Sequence, residues 1–344
     1  MPGTLILDIG SGTQDVLYHL DDRELLNCPK FVLPTPARRV AARLQELAGQ
    51  AVWFHGTNMG GGFFRVLKQH LAEGGRAAIT ERAAHTLTDT PPRVETMGMT
   101  LSETCPEGYV PLQLTDYDPE WWGRLLDAAD LPRPDCVVAA AQDHGNHAGQ
   151  SNRRGRFRLW ERLLLDSGGD PAALIYDTPP PELTRLAALQ RSIGGGPVAD
   201  TGAAAVLGAL FVEEIDQLSR ERGITVLNLG NSHTIAFLIY AGRILGVYEH
   251  HTGLVSPEAL GEQVALFRQG RLGFETVFDD QGHGCLTLAL PEAAGDFSPT
   301  FVLGPQRERL VGMPGADVSF PAPGGDMMLA GCFGLLHGMR LAAR

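Results

Sequence analysis

The sequence predicts an α/β fold of two lobes separated by a cleft, and three observations lead there. The chain has 344 residues, more than one hydrophobic core usually organises, so two bodies with separate cores are expected. Short apolar runs alternate with helical apolar patterns, the mark of βα units. Finally, Leu7-Asp8-Ile9-Gly10-Ser11-Gly12 and the strand after it recur as Leu227-Asn228-Leu229-Gly230-Asn231-Ser232 and a following strand. This internal repeat of strand, small-residue turn and strand implies a duplicated fold.

Taken in order, Leu5 to Ile9 predict a buried strand, Gly10 to Gln14 a turn, and Val16 to Leu20 the second strand of a hairpin. Thr35 caps a helix with Pro36 at its first position and Val40, Leu44 and Leu47 on one face. The strand Ala51 to His55 leads into Gly60-Gly61-Gly62 and a helix through Phe64, Leu67 and Leu71. A helix over Glu120 to Asp130 precedes the strand Asp135 to Ala141, which opens into a polar loop, Gln142 to Gly155. Helices over Glu182 to Gln190 and Gly202 to Arg220 close the first half, placed at 1–205. The second half, 206–344, restarts at Ile224 and adds a third strand, Arg243 to Glu249, after the Ala241-Gly242 turn.

Composition excludes several classes. The apolar stretch begins at Thr4, leaving no room for a charged and then apolar leader, and no apolar run approaches the roughly 18 residues of a spanning helix. No membrane partner and a cytoplasmic location are therefore expected. Five scattered cysteines with no CxxC pair argue against a disulfide framework or a zinc ribbon. The net charge of −12 disfavours nucleic acid, although Arg153, Arg154, Arg156 and Arg158 make one basic run.

The chemistry concentrates in turns. Small residues between two strands expose successive backbone N–H groups to phosphate oxygens, so Gly10, Ser11, Gly12, Thr13 and Gln14, facing Gly230, Asn231, Ser232, His233 and Thr234, would clamp a polyphosphate. Asp8, ending the first strand, and Asp15 suit Mg²⁺, which takes few carboxylates and shares phosphate oxygens. Gln142, Asp143 and His144 follow a buried strand, where ligands bind in α/β sheets, and Asp143 or His144 suits proton transfer. Three glycines opening a helix, Gly60 to Gly62, can receive an anion. Arg154 offers a guanidinium to an anionic substrate, with a solvated arm as the plain alternative. His55, His144, His147, His233, His250, His251 and His283 sit in or beside Gly- or Asn-rich turns, where packing gives little reason for an imidazole.

Metal binding is a rival use of the same loops, with Asp143, His144, His147, Glu249, His250, His251, Asp280 and His283 as the ligand pool. Neighbours His250 and His251 would face opposite sides of a strand, which weakens a shared site. Trp121, Trp122, Met327 and Met328 read as core packing.

Asp8-Ile9-Gly10-Ser11-Gly12 resembles the first phosphate motif of the actin-like, sugar-kinase and heat-shock ATPase superfamily. The Gly230 turn repeats it, and Gln142-Asp143-His144-Gly145 is similar to the Gln-x-His-Gly segment of xylulokinase-type kinases. Leu303-Gly304-Pro305 resembles the adenosine-contacting turn, and Gly325-Asp326 to Leu336 the closing helix. The resemblance implies two ribonuclease-H-like lobes, ATP and Mg²⁺ in the cleft, with Gly304 and Pro305 near the base. Departures accompany it: Asp15 replaces a customary Lys, Asn228 a customary Asp, and Asn231 and His233 smaller residues.

Across most of the chain, the segments Met59 to Gly62, Gln142 to Gly145, Glu249 to Gly253, Gly282 to Gly284 and Gly325 to Met328 resemble a prokaryotic family labelled pyruvate formate-lyase activating enzyme. Radical chemistry at an iron–sulfur cluster needs a close group of cysteines, which this sequence lacks. The leading expectation is therefore ATP-dependent phosphoryl transfer to a small polar or anionic metabolite held by Gly60, Gly61, Gly62, Arg154, His250, His251 and His283. Two alternatives stay open: a nucleotide-gated ATPase that activates or assembles a partner enzyme, and a metal-dependent enzyme using the histidine-rich loops.

Overall fold

In the computed structural model, residues 3–147, 149–311 and 317–343 are described. The chain opens with an antiparallel meander of β1 (Gly3–Ile9), β2 (Thr13–Leu20) and β3 (Lys30–Pro34). Then comes a parallel α/β insertion: α1 (Pro36–Glu46), β4 (Ala51–Gly56), α2 (Phe64–Ala72), β5 (Arg76–Ile79), α3 (Glu81–Ala84), β6 (Thr100–Leu101), β7 (Val110–Leu114) and α4 (Pro119–Ala128). Its strands make a sheet of their own, in the order β6-β5-β4-β7, over a separate core containing Val52, Phe54, Phe63, Leu67 and Leu114. As the sequence indicates, Thr35 caps α1 by accepting from the Arg38 N–H, with Pro36 at the first position. The alternating pattern was legible there. Its separation into an independent sheet was not, because strand pairing is set by partners distant in sequence.

The first sheet resumes with β8 (Cys136–Ala141), which pairs parallel to β1. There follow α5 (Asn152–Ser167), α6 (Thr184–Ser192), β9 (Val198–Ala199) and α7 (Thr201–Leu210). The completed sheet runs β3-β2-β1-β8-β9. The helix expected from Gly202 to Arg220 is two helices, because the chain turns at Phe211 and Val212, where Phe211 packs on Phe333 with ring centroids 5.0 Å apart.

After α8 (Glu213–Glu221) the same plan repeats. The strands β10 (Ile224–Leu229), β11 (His233–Tyr240) and β12 (Arg243–His251) form an antiparallel meander, followed by α9 (Pro257–Arg268), α10 (Phe274–Asp279) and β13 (Gly284–Thr287). The strands β14 (Thr300–Leu303) and β15 (Val318–Ser319) and the helix α11 (Ala330–Ala342) complete it. This sheet runs β13-β12-β11-β10-β14-β15. Apart from the added edge strand β13, its order and directions match the first: two antiparallel neighbours on one side of the opening strand, two parallel neighbours on the other. The expected duplication is therefore present as two ribonuclease-H-like sheets.

Two features tie the halves together. Helices α7 and α11 lie side by side between the sheets, and they approach closely because Gly208 faces the Ala330 carbonyl and Gly334 the Ala204 carbonyl. A Cβ at either glycine would land on that oxygen. Cys332, Phe333 and Leu335 of α11 complete the core under β1, so the last helix of the second half packs into the first. Conversely α5, from the first half, places Phe157, Trp160 and Leu164 in the core of the second sheet with Val226, Ile235 and Phe237. The polar loop expected through Gly155 thus gives way to a helix at Asn152, capped by Ser151, which accepts from the Arg154 N–H. Ala148, within that expected loop, lies outside the described residues.

Candidate functional site

The two glycine turns face each other across the cleft. Each is closed by the same bond, Gly10 N–H to the Thr13 carbonyl at 3.0 Å and Gly230 N–H to the His233 carbonyl at 2.9 Å. Between those bonds, the N–H groups of Ser11, Gly12, Asn231 and Ser232 have no carbonyl partner among the described residues, the property a phosphate cradle needs. The turns touch: the Ser232 hydroxyl donates to the Ser11 hydroxyl at 2.9 Å, and the Gln306 amide reaches the Asn231 side chain at 3.3 Å. Gly304 and Pro305 line the same cleft, which encloses about 110 Å³.

Its floor is acidic. Asp8 and Asp15 are directly paired across the β1–β2 ladder, which puts both carboxylates on one face. Burial pushes Asp8 well above the carboxylate range, with further contributions from Asp15 and Asp200. Burial likewise raises Asp15, to about 7, against a lowering hydrogen bond from Thr13. Asp8 Oδ1 and Asp15 Oδ1 are buried without a partner. Two orphaned carboxylate oxygens facing a cleft fit a hard cation such as Mg²⁺. Gln14 and Thr234, expected on the phosphates, are fully buried within their strands, and Thr234 bonds to Thr252 at 3.0 Å.

A second, larger cleft of about 340 Å³ lies between the first sheet and the insertion. It contains Gly60, Gly61, Gly62, Thr86, Asp89, Asp116, Asp143, His144 and Arg185, and it shares Gly10, Ser11 and Gln142 with the first. Asp143 is 5% exposed. One of its oxygens accepts from Gly145 N–H at 2.9 Å, and the other from Arg185 and Leu186 N–H at 2.8 and 3.0 Å. Its carboxylate thus caps α6, whose preceding residue Leu183 provides no side-chain cap. Burial raises its pKa despite these bonds, which act the other way. Gly60 N–H donates to Asp116, which also takes a forked pair of bonds from Arg185 at 2.7 and 2.9 Å.

Beneath the cleft Arg156, 3% exposed, joins both halves. Its Nε donates to both oxygens of Glu249 at 2.8 and 2.7 Å, and its Nη atoms reach Asp200 at 3.0 and 3.2 Å and the Asp143 carbonyl at 2.6 Å. Beside it the imidazoles of His144, His233 and His283 come together, with His144 Nε2 and His233 Nε2 3.2 Å apart. Burial is the first cause that lowers all three, His233 to about 4 and His283 to about 3. His251 adds a fourth ring, 4.6 Å from His283 centroid to centroid.

Other expected residues sit apart. His250 points to the opposite side of β12, as its neighbour's placement requires, and its ring nitrogens reach the His251 and Asp280 carbonyls at 3.1 and 3.0 Å. Arg154 forks onto Glu275 at 2.9 and 2.8 Å on the outer surface, while Arg153 holds the Phe278 and Gly282 carbonyls. Arg153 and Arg154 of the basic run are thus engaged by protein partners on α10 and the turn after it. Met327 and Met328, read as core, are half-buried in the cleft wall, because the chain ahead of α11 crosses the opening. Asp200 was not singled out in the sequence, and Arg156 was read only as one member of a basic run. Asp200 had a signal, since Asp200-Thr201-Gly202 repeats the pattern of an acid and small residues after a short apolar strand. The buried role of Arg156 had none, because it comes from α5 crossing to the other lobe.

The duplicated strand order and facing turns define a two-lobed α/β protein of the actin-like ATPase and sugar-kinase fold. The chain belongs to the family described as "Putative pyruvate format-lyase activating enzyme (DUF1786)", whose model matches residues 59–309. No curated protein matches it. Among solved structures it is similar to the ethanolamine utilization protein EutJ from Carboxydothermus hydrogenoformans, at 10% identity over 97% of this chain and 89% of that one, TM-score 0.31. It is also similar to the activator of 2-hydroxyisocaproyl-CoA dehydratase from Clostridium difficile with bound ADPNP, at 8% identity over 99% and 96%, TM-score 0.35. A third, a Listeria monocytogenes protein titled "a putative N-acetylmannosamine kinase", has 11% identity over 98% and 99%, TM-score 0.36. These likenesses are loose, and the strand order carries the fold.

The family's label fits the site poorly. Cys28, Cys285 and Cys332 are buried in different places, Cys136 is half-buried and Cys105 is exposed. The one cluster of metal-capable side chains found among the described residues is made of histidines. No helix among the described residues is long and apolar enough to cross a membrane.

Proposed function

We propose that this protein is a nucleotide-dependent phosphotransferase whose acceptor is a small, neutral, polar metabolite. The observation that carries this reading is the common wall of the two clefts, formed by Gly10, Ser11 and Gln142. A polyphosphate lying across the turns would present its terminal group at that wall, and an acceptor in the second cleft would approach it from the other side. In this reading the lobes 1–205 and 206–344 each give one turn. Asp8 and Asp15 hold Mg²⁺, and Gly304 and Pro305 lie toward the base. Bound nucleotide supplies the transferable phosphoryl group, and the chain's own part is positioning and charge. Asp143 acts as a positioning residue, since its oxygens are committed to three N–H donors.

Charge favours a neutral acceptor. The second cleft carries Asp89, Asp116 and Asp143, and its one arginine, Arg185, is spent on Asp116. Titration calorimetry with ATP and Mg²⁺ tests the nucleotide, and ATP consumption across a panel of sugars and polyols tests the acceptor. Binding that requires Mg²⁺ and stimulation by one class of polyol are expected. An absence of affinity for any nucleoside triphosphate overturns the reading.

A second reading, nucleotide-gated closure that drives a partner enzyme, draws on the direct Ser11–Ser232 contact and on Arg156 joining the lobes. Hydrolysis that appears only with a protein partner present would favour it.

A further inference from the structure

We propose that His144, His233 and His283 form a three-imidazole site for a late first-row divalent metal ion of the zinc class, and that this ion pins the two lobes together. The three residues come from separate segments. His144 follows β8 of the first sheet, His233 opens β11, and His283 stands just ahead of β13. One ring nitrogen from each lies within 4.8 Å of the others. Tetrahedral zinc with Zn–N bonds of about 2.0–2.1 Å sets its nitrogens about 3.4 Å apart. Ring rotations of about 1 Å would therefore complete the set.

Packing alone does not account for the cluster. His283 is 1% exposed, and neither of its ring nitrogens has a partner. His233 Nδ1 is likewise buried and unpartnered, and its Nε2 meets only the ring of His144. A neutral imidazole has one donor and one acceptor, and three of the trio's six ring nitrogens are buried with neither role used. Each unmet buried polar atom destabilises the fold, which a bound ion would relieve.

The donor set selects the metal. Neutral imidazoles suit zinc and its first-row neighbours, whereas Mg²⁺ demands oxygen ligands. The site is thus chemically distinct from the Asp8–Asp15 pair. Glu249 adds a buried negative charge nearby, but Arg156 occupies both of its oxygens, so the ligands are nitrogens. Three protein ligands leave a fourth position for water or a substrate atom. Since His233 lines the first cleft and His144 the second, that position lies where the clefts meet. Metal binding at the three imidazoles requires no bound nucleotide.

Cobalt(II) titration of the full chain after removal of metal by a chelator tests it. The expected result is the visible absorption of a four-coordinate cobalt ion, saturating at one equivalent and displaced by zinc. His283→Gln and His144→Gln should each weaken that binding roughly 100-fold or more, ligands being at least as critical as the partners that orient them. His55→Ala, at a histidine stacked on Trp53 in the insertion, should leave it intact. Circular dichroism establishes that each variant is folded, and His233→Asn replaces any variant that is not. The proposal is overturned if the unaltered chain gives no cobalt absorption at one equivalent, or if the absorption persists in folded variants lacking two of the three histidines.

Discussion

At the scale of single residues, the Asp8–Asp15 pair sets function against stability. Two carboxylates paired across a ladder and buried together oppose folding, an arrangement that clusters at functional sites. Asp8→Asn removes one member without changing its shape. The expected outcome is loss of Mg²⁺-dependent nucleotide affinity by calorimetry, together with a melting temperature unchanged or raised by about 1–2 °C, since relief of roughly 1 kcal/mol has that effect in a chain of 344 residues. A fall in melting temperature with binding intact would show the pair to be structural. The acid was legible in the sequence from its place at the end of an apolar strand. Its partner across the ladder was legible only as a departure from a motif, because register decides which side chains meet.

At the scale of elements, the α7–α11 contact depends on absent side chains. Gly334→Ala places a methyl group on the Ala204 carbonyl, and overpacking of this kind costs about 1–3 kcal/mol, measurable as a lower denaturation midpoint. The Arg156 hub is the polar counterpart. Arg156→Met strands Glu249 and Asp200 in the interior and should cost about 3–5 kcal/mol in chemical denaturation, part of which Glu249→Gln in the same chain should restore.

Burial would raise the Glu249 carboxyl, but Arg156, with His283 and His233, outweighs it and holds the group well below its ordinary 4.5. The folded pKa is depressed, so this contribution to stability is present above pH 4.5 and lost as pH falls below it. Stability measured between pH 5 and 3 should therefore fall less steeply in Glu249→Gln than in the parent. An equal slope in both would remove Glu249 from the acid response.

At the scale of the whole molecule, the first cleft is narrow and its turns bond to each other, so a nucleotide requires the lobes to part. Small-angle scattering should report a larger radius of gyration on addition of Mg²⁺ and a nucleotide, or on a Ser11→Ala and Ser232→Ala double change that removes the hydroxyl contact. Identical profiles throughout would mean that the lobes do not move.

Residues alone determined a good deal of this protein. The repeat of strand, small-residue turn and strand established a duplicated fold, because local turn chemistry and apolar alternation are written in neighbouring positions. The cap at Thr35, the acid at Asp8 and the polar turn at Gln142 to His144 were legible for the same reason. The tertiary structure decided what depends on distant contacts. It made the insertion a separate sheet and carried α5 across to the second lobe. That crossing buried Arg156 between Glu249 and Asp200. It also gathered His144, His233 and His283 from three segments into one cluster. Such a gathering depends on strand register and lobe packing, which no short stretch of sequence encodes.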